Sequence, residues 1–528
     1  MMIVNYRRVM QLIVLQWMVN MSSGSLLFDM IDDMSQYFEN SLFGRNRFVQ
    51  SDLFMDENER IMEERYDFII IGAGSGGSVV ANRLSEIADW NILLVEAGRD
   101  EIFLTDIPLL APVMQITDFN WGYKTQPRPK NVDGSGGYCL SMIEGRCNWP
   151  RGKAVGGTSV INFMLHSRGS RSDFDKWAAD GNPGWSYDDV FPYFLKSEKA
   201  HFIRSGDNQR GINPTIYGKN GYLDVTTAPW VSQLRDTFLK AGEALGYQVK
   251  DSNDGIPNGF SPIKANLRNG RRVSASKAFL KSIKHRKNLQ IEDSAIVTKI
   301  IIDPSTKSAN GVEYIKNGKL HRVKVKKEVI LSAGSLNSPQ LLMLSGIGPK
   351  EHLMDIGGID IIEDLPVGLN LQDHVSMAAL TFLVNESVTI VEPRIATNYK
   401  NTFDYLIRGE GPLTVPAGAE ALAFINTANG PKKNTEPDIE LVFGIGSMAG
   451  DISGALRSIF ALPDSWYDDV FDHYRGRDGF SIVPVLLHPK SRGRVKLASA
   501  NPLESPILQA NYFDNQDDLK IIVRGIRK

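Results

Sequence analysis

Two stretches of the chain have a regular pattern of apolar and polar positions. Residues 68–71 form a short run of apolar, mostly β-branched side chains, which is typical of a strand buried in a parallel sheet. A glycine-rich loop, a stretch of helical character and a second strand at residues 91–95 follow, and this order predicts a β-α-β unit. Further along, residues 316–330 alternate charged side chains with valine, which predicts a half-exposed hairpin strand.

The loop of the β-α-β unit has glycines at the spacing G-x-G-x-x-G, namely Gly72, Gly74 and Gly77. The first glycine permits a tight turn, the second lets the backbone approach a pyrophosphate, and the third lets the helix pack closely on the strand. The helix, expected from Ser78, presents its N-terminus to the negative phosphates. Glu96 ends the second strand, where its carboxylate can accept hydrogen bonds from both ribose hydroxyls. The unit predicts a dinucleotide site. FAD and NAD share the ribose and pyrophosphate half that such a unit binds, so both cofactors remain open.

The N-terminus has the order of a secretory signal. Arg7 and Arg8 precede an apolar stretch at residues 9–19, and small residues follow. The stretch is too short, and too interrupted by glutamine, to predict a membrane span. We therefore predict a signal peptide at 1–24, a linker at 25–65 and a secreted protein.

Composition and charge indicate a globular protein. The chain has 528 residues, of which 42% are hydrophobic and 23% charged, and this length suffices for two large domains. Lys and Arg number 59 against 61 Asp and Glu, a net charge of −2. No excess of positive charge is available to neutralise phosphates, so a nucleic-acid partner is not predicted.

The sequence contains two cysteines, Cys139 and Cys147. They fit two free thiols in a reducing compartment, or one local disulfide in a secreted protein, and the sequence leaves both open. A metal site is not predicted, because no second Cys or His pair has the spacing that zinc requires.

Two further glycine-rich segments lie at residues 150–177 ("PRGKAVGGTSVINFMLHSRGSRSDFDKW") and 331–349 ("LSAGSLNSPQLLMLSGIGP"). With them, the sequence resembles the glucose–methanol–choline (GMC) family of FAD-dependent oxidoreductases. The first family signature, residues 152–175, departs from the family at His166, where an aromatic residue is usual; the second, residues 334–348, matches throughout. The cysteine segment is similar to insect glucose dehydrogenase-like members, which are mostly secreted. Other stretches that resemble the family lie at 269–280, 364–375 and 486–497.

The resemblance implies FAD as the cofactor and assigns its contacts. The pyrophosphate contacts would be Gly72, Gly74, Ser75, Gly76 and Gly77, with Glu96 at the adenosine ribose. The flavin and ribityl contacts would be Val155, Gly156, Gly157, Thr158 and Asn162, with the backbone of Val297 at the adenine. A purely structural interpretation stays open for three of these residues. Val297 could simply be a core residue of a strand, and Gly156 and Gly157 could be the glycines of an ordinary turn.

The resemblance also implies the fold and its division. The expected class is α/β with an α+β substrate part: a Rossmann-like FAD-binding domain with a mostly parallel sheet, and a substrate domain with an antiparallel sheet. The FAD-binding region would span 66–350, with substrate-domain insertions at about 175–265. The substrate domain would span 351–485, and 486–528 would begin a C-terminal region that is incomplete here.

The implied reaction is the oxidation of a CH–OH group of a small alcohol or sugar. A base takes the hydroxyl proton, flavin N5 accepts the hydride, and a quinone or oxygen takes up the electrons. In the family the base is a histidine near the C-terminus, but no histidine follows His488 in this sequence. We therefore assign no catalytic residue, and we expect a chain that ends at Lys528 to hold FAD weakly and to be inactive.

Two alternatives accompany this interpretation. The first is a truncated isoform without catalysis that serves as a binding or interaction protein. The second is an NAD-dependent dehydrogenase, which the segments at 152–175 and 334–348 disfavour.

Overall fold

The computed structural model describes residues 65–130, 137–202, 210–377, 380–428, 430–431 and 436–528. The predicted signal peptide at 1–24 and all but the last residue of the predicted linker at 25–65 lie outside these ranges. The strands of the described ranges are β1 Arg65–Ile71, β2 Ile92–Val95, β3 Tyr123–Lys124, β4 Asn148–Trp149, β5 Glu198–Ala200, β6 Leu223–Val225, β7 Gly259–Pro262, β8 Leu267–Arg268, β9 Arg271–Arg272, β10 Leu289–Glu292, β11 Ala295–Ile302, β12 Ala309–Lys316, β13 Lys319–Leu331, β14 Ile347–Gly348, β15 Glu363–Asp364, β16 Thr381–Leu383, β17 Ala419–Ile425, β18 Ile439–Gly444, β19 Gly479–Leu486, β20 Arg494–Lys496 and β21 Ile507–Gln509.

The helices are mostly short, and among the described residues none has both the length and the apolar character that a membrane crossing requires. The α-helices are α1 Ser75–Leu84, α2 Ala111–Met114, α3 Arg171–Ala179, α4 Tyr187–Ser197, α5 Gln233–Ala244, α6 Gly334–Leu344, α7 Lys350–Ile356, α8 Glu392–Ala396, α9 Tyr399–Phe403, α10 Ala455–Ile459, α11 Asp464–Phe471 and α12 Gln516–Arg527. The 3-10 turns are Phe103–Asp106, Pro108–Leu110, Ile143–Gly145, Gly157–Val160, Pro214–Ile216, Lys281–Ile283, Pro412–Thr414, Pro416–Gly418, Met448–Gly450 and Asp472–Tyr474. Ser276–Leu280 and Asp404–Arg408 are π-helical turns.

A six-stranded sheet has the order β10-β2-β1-β13-β12-β11. The pairs β10–β2, β2–β1 and β1–β13 are parallel, whereas β12 and β11 join the far edge antiparallel. The first half of β13 forms a hairpin with β12, and its second half pairs with β1. The hairpin turns at Asn317 and Gly318, whose φ angles of 52° and 75° match the two-residue turn that suits antiparallel strands. The charge–valine alternation at 316–330 therefore predicted this hairpin strand correctly.

The centre of this sheet is buried on both faces. Ile69, Ile70, Ile92 and Leu94 are each 0% exposed, as an apolar run in a parallel sheet requires. One face packs under α1 through Ala81, and the side chains of the other face form a cluster with Leu341 of α6 and with side chains of β11 and β12.

A second, five-stranded sheet is wholly antiparallel, with the order β16-β19-β18-β17-β7. Its core contains Phe238 of α5, Phe260 of β7 and Phe443 of β18, and Ile522 of α12 packs onto it. The predicted fold class, α/β with a mostly parallel sheet and a separate antiparallel sheet, is confirmed.

Cys139 and Cys147 form a disulfide in the structure. The sequence had left this pairing open. The bridge lies in a hydrophobic cluster with Trp149 and Tyr512, whose rings form a T-shaped contact at a centroid distance of 6.3 Å. The bridge therefore ties the segment before β4 to a core that includes residues near the end of the chain.

Replacement of both cysteines by serine is expected to lower the free energy of unfolding by about 2–3 kcal/mol, because the bridge closes a nine-residue loop and so restricts the unfolded chain. Urea unfolding of the oxidised protein and of the Cys139→Ser/Cys147→Ser variant measures the difference. A thiol reductant is expected to destabilise the natural protein by the same amount and to leave the variant unchanged. Equal stability of the oxidised natural protein and the variant would contradict a stabilising role for the bridge.

Candidate functional site

The three glycine-rich segments of the sequence meet at the carboxyl ends of β1 and β13. The N–H of Gly156 donates a hydrogen bond to the carbonyl of Ala73 (2.8 Å). Ser332 donates from its backbone N–H to the carbonyl of Ile71 (2.9 Å) and from its hydroxyl to that of Gly72 (3.1 Å). In open α/β sheets, ligands bind in the crevice beyond the carboxyl ends of the strands. Segments far apart in sequence thus form one site at the expected edge.

Three of the glycines are required by direct backbone contact. A Cβ on Gly77 would lie 1.9 Å from the carbonyl oxygen of Gly72, so α1 could not approach β1 as it does. Gly72 itself has φ +94°, and a Cβ there would lie 2.7 Å from the oxygen of Ser332. A Cβ on Gly157 would lie 2.6 Å from the Cα of Gly74. The first and second glycine segments therefore touch through their backbones.

The opposite side of the loop is open. A Cβ on Gly76 would meet no heavy atom within 4 Å, and one on Gly74 would meet only the Cα of Gly157, at 3.9 Å. The helix α1 begins at Ser75, three residues earlier than predicted from the sequence, so the second half of the glycine loop is its first turn. Its N-cap Gly74 makes no side-chain cap hydrogen bond, which leaves backbone N–H groups for a ligand. This open helix start fits a pyrophosphate.

Glu96 lies at the end of β2, beside the loop. It is 6% exposed, and its carboxylate accepts hydrogen bonds from the N–H groups of Ala73 and Gly98, each at 2.8 Å. Burial raises the pKa of Glu96 to about 7, although these hydrogen bonds and the positive charge of Lys153 oppose the shift. Each carboxylate oxygen keeps a further lone pair, so Glu96 can still accept from a ribose hydroxyl.

Glu96→Gln is expected to weaken FAD binding about 10- to 100-fold, the equivalent of a lost hydrogen bond to a charged group. An amide has a single acceptor oxygen, so either Ala73 or Gly98 loses its partner. FAD affinity of the natural protein should also rise as the pH rises through 7, because ribose hydroxyls donate to the ionised carboxylate. Fluorescence titration of FAD between pH 6 and 8, values that bracket the pKa of about 7, measures both effects.

The same substitution should change the pH dependence of stability without FAD. The folded pKa of Glu96 is raised from 4.5 to about 7, so its stabilising contribution is complete below pH 4.5 and is lost as the pH rises to 7. Burial also raises the pKa of Glu392, Glu420 and Glu440 to about 7, so only the difference between variant and natural protein isolates Glu96. Glu292→Gln, at the end of the neighbouring strand β10, is the control. If both variants had the same pH profile and FAD affinity, Glu96 would have no special role.

The predicted flavin-side residues lie together on the second glycine segment. Val155 is 6% exposed and packs in the cluster under α1, and Gly156 has φ +112°. Thr158 and Asn162 are exposed. Because a Cβ on Gly157 would lie against Gly74, this segment adjoins the first turn of α1, and the surface that the two share, called the groove below, presents the exposed polar groups of Thr158 and Asn162.

Val297 lies on β11, two residues after Ala295. The N–H of Ala295 donates to the carbonyl of Glu96 (2.8 Å), which brings the start of β11 beside β2. Val297 also packs against the core cluster that contains Ile300 and Val312. Both interpretations of Val297, as an adenine contact and as a core residue, therefore remain, and its role stays a prediction.

Arg272 is a site residue for which sequence reasoning predicted no role. It is 1% exposed, and its Nη1 donates to the carbonyl of Ser159 and to Oδ1 of Asn162, each at 2.9 Å. Its Nε donates to the carbonyl of Thr105 (2.7 Å). Arg272 thus holds the flavin-side segment in place. The resemblance had identified its stretch, 269–280, and the only further signal was a pair of adjacent arginines before an apolar run.

One group of possible metal ligands occurs among the described residues. Atoms of Asp173, Glu436 and His488 lie within 4.8 Å of one another. Burial would raise the pKa of Asp173, but hydrogen bonds with His488 and Ser170 lower it to about 2. The bond to Asp173, 3.0 Å long, in turn raises the pKa of His488. Ion pairing accounts for the group, and His166 likewise lies 3.0 Å from the carboxylate of Glu198.

Comparison with known proteins agrees with this geometry. A family model described as GMC oxidoreductase matches residues 66–376, and a second one of the same description matches 489–528. Glucose dehydrogenase [FAD, quinone] of Drosophila melanogaster is 39% identical over 474 residues, which cover 88% of this chain and 69% of that protein. Ecdysone oxidase of Bombyx mori is 34% identical over 468 residues, which cover 88% of this chain and 66% of that protein.

A solved structure has the same fold. The crystal structure of formate oxidase superposes with a TM-score of 0.74 at 26% identity, and the match covers 88% of this chain and 80% of that one. The resemblance proposed from three glycine-rich segments is thereby confirmed, as is FAD as the cofactor of the family. The chain belongs to the GMC oxidoreductase family, the FAD-dependent oxidoreductases.

Proposed function

We propose that the protein to which this chain belongs uses FAD to oxidise a CH–OH group of a small alcohol or sugar and passes the electrons to a quinone or to oxygen. The observation that carries the proposal is the single groove formed by Gly74, Gly76, Gly157 and Asn162, with Glu96 at its end. The names of two relatives support it: the Drosophila protein is a glucose dehydrogenase with FAD and quinone, and the Bombyx protein is an oxidase of ecdysone.

The described residues bind and orient the cofactor. FAD, when bound, supplies the hydride acceptor. The first turn of α1 offers N–H groups to the diphosphate, and Glu96 fixes the ribose. Arg272 holds Asn162 and Ser159 in position, and the buried Val155 packs with Ala73 beneath α1. We assign the proton-accepting step to no described residue.

The test is a direct one for bound flavin and its reduction. The purified protein is reconstituted with FAD and mixed without oxygen with glucose, with simple primary alcohols and with a sterol alcohol. Loss of the yellow flavin band with one of these donors, followed by its return on addition of a quinone or oxygen, supports the proposal and identifies the acceptor. Hydride transfer to added NAD without bound flavin would contradict it.

The inactivity of a polypeptide that ends at Lys528 stays a prediction. It follows from the position of the family histidine, which has no counterpart after His488 in the sequence. The same assay applied to residues 1–528 tests it: steady turnover by that polypeptide would show that another group accepts the proton. Retention of FAD without turnover would favour the alternative of a non-catalytic binding protein.

We also propose that the protein is secreted. The leader pattern at 1–24 and the disulfide between Cys139 and Cys147 support this, because such bridges persist in oxidising compartments. Expression in insect cells of a protein that includes residues 1–528 tests it. Protein in the medium that starts after the leader is the expected result, and a full-length intracellular protein would contradict the proposal.

A further inference from the structure

A cavity of about 430 Å³ lies between the β8–β9 hairpin, the 3-10 turn Phe103–Asp106 and the π-helical turn Asp404–Arg408. Its lining is unusually basic for a chain with a net charge of −2. Five cationic side chains and one carboxylate line it: Arg268, Arg271, Arg272, Lys277 and Arg408, against Asp106. Apolar side chains, among them Leu406 and Ile407, complete the wall.

Three of the five cations have carboxylate partners: Lys277 with Asp106, Arg268 with Asp224 at 2.5 Å, and Arg408 with Asp404 at 3.3 Å. In two of these pairs the arginine is about half exposed, 49% for Arg268 and 58% for Arg408, whereas its carboxylate partner is largely buried. The two remaining cations, Arg271 and Arg272, give the cavity its positive charge.

Arg271 is half-buried and held in one orientation. Its Nη2 donates to the carbonyl of Leu406 (3.2 Å), and its guanidinium lies 5.8 Å from the ring centre of Phe103 and 6.0 Å from that of Tyr405. Among the residues that the structure describes, no ion pair joins Arg271 to a carboxylate. The planar fork of an arginine matches the two oxygens of a carboxylate or phosphate, and the two rings pre-orient this one.

Arg272 adds a buried cation next to it. Its Nη2 is buried without a hydrogen-bond partner among the described residues. Burial lowers the pKa of Arg272 to about 10, which the charges of Glu101 and Asp106 partly oppose, so the group remains a cation at neutral pH. A buried cation that is incompletely paired is costly, and an anion in the cavity reduces that cost.

We propose that this cavity binds a small organic anion through a carboxylate or phosphate group, with Arg271 as the principal contact. The inference does not depend on the proposed oxidation. The volume lies in the range of small-molecule sites, and Leu406 and Ile407 offer apolar surface to the rest of the ligand. Because Arg272 reaches from the cavity to Asn162, the ligand would lie one side chain away from the flavin-side segment.

The test uses the FAD-reconstituted protein at low ionic strength. Inorganic phosphate and gluconate are the two probes, titrated by calorimetry and by the thermal unfolding midpoint. Binding of at least one probe, weakened by added sodium chloride, is the expected result. Binding of phosphate alone assigns a phosphate ligand, and binding of gluconate alone assigns an organic carboxylate. Failure of both probes to bind would overturn the proposal.

Arg271→Met is expected to weaken the binding at least about 10-fold, the loss of a charge-assisted hydrogen bond. Arg271→Lys keeps the charge but not the fork, so it should recover only part of the affinity. Arg322→Met is the matched control, because Arg322 is an exposed arginine on β13 paired with Glu313. Circular dichroism and the unfolding midpoint without anion show whether each variant is folded. Equal anion binding by the Arg271→Met and Arg322→Met variants would show that the anion binds through nonspecific charge attraction, and it would overturn the proposal.

Discussion

Gly77→Ala is expected to abolish FAD retention and to lower the free energy of unfolding by about 3 kcal/mol or more, the upper end for an inserted methyl group. The added Cβ would lie 1.9 Å from the carbonyl oxygen of Gly72, and that oxygen belongs to the backbone and cannot rotate away. Either α1 moves away from β1 or the loop at Gly72 opens, and both changes distort the groove. Urea unfolding and the flavin content of the purified protein measure the two effects.

Gly76→Ala is the matched control, one residue earlier in the same helix. Its Cβ would meet no heavy atom within 4 Å, and alanine is the better helix former by about 1 kcal/mol. The unfolding free energy without FAD should therefore stay the same or rise. Any loss of FAD affinity in this variant would report contact between residue 76 and the cofactor. Comparable destabilisation by the two substitutions would contradict the close packing of α1 on β1.

Arg168→Met is expected to lower the free energy of unfolding by about 3–5 kcal/mol, because it removes the permanently charged partner of a buried carboxylate. The side chains of Arg168 and Glu198 are both 0% exposed. Nε of Arg168 donates to Oε1 of Glu198 (2.8 Å), and Nη2 donates to Oε2 (2.6 Å). Thermal and urea unfolding measure the loss.

Two further variants test whether the loss of stability comes from the buried ion pair. Arg171→Met removes an arginine three residues away whose partner, Asp188, is exposed, and little or no change in stability is expected. Glu198→Gln in the Arg168→Met background removes the stranded charge and should recover part of the lost stability. An unchanged unfolding midpoint for Arg168→Met alone, or no recovery in the double variant, would show that the buried pair does not hold this region together.

Local parts of the site could be predicted from the sequence. The β1–α1–β2 unit, the position of Glu96 and the hairpin before β13 all depend on residues close together in the chain, where periodicity and glycine spacing have direct structural meaning. Even here the start of α1 was placed three residues late, because the glycines of the loop are also the first turn of the helix.

Contacts between distant segments could not be predicted. The hydrogen bond from Gly156 to Ala73 and the contact of Arg272 with Asn162 join residues that no local pattern pairs. The family resemblance identified the segments that meet but not how they meet. Arg168 illustrates the difference: it lies within the first family signature, yet its contacts are with Glu198 and a neighbouring carbonyl. Some residues of a family signature therefore stabilise the fold and do not contact the cofactor, and only the structure distinguishes the two roles.

The position of β13 between β1 and β12 means that the six-stranded sheet cannot be completed during synthesis until β13 has been made. β1 leaves the ribosome early, but its neighbour β13 is joined to it by contacts such as Ser332 to Ile71, 261 positions apart. At bacterial and eukaryotic synthesis rates this interval is roughly 13–50 s. For that time one edge of β1, whose last four residues are all apolar, has no partner in the nascent chain. The first strand of this sheet to be made thus remains unpaired at that edge until the last strand, β13, is made, and the exposed edge is a natural target for chaperones that bind extended apolar segments.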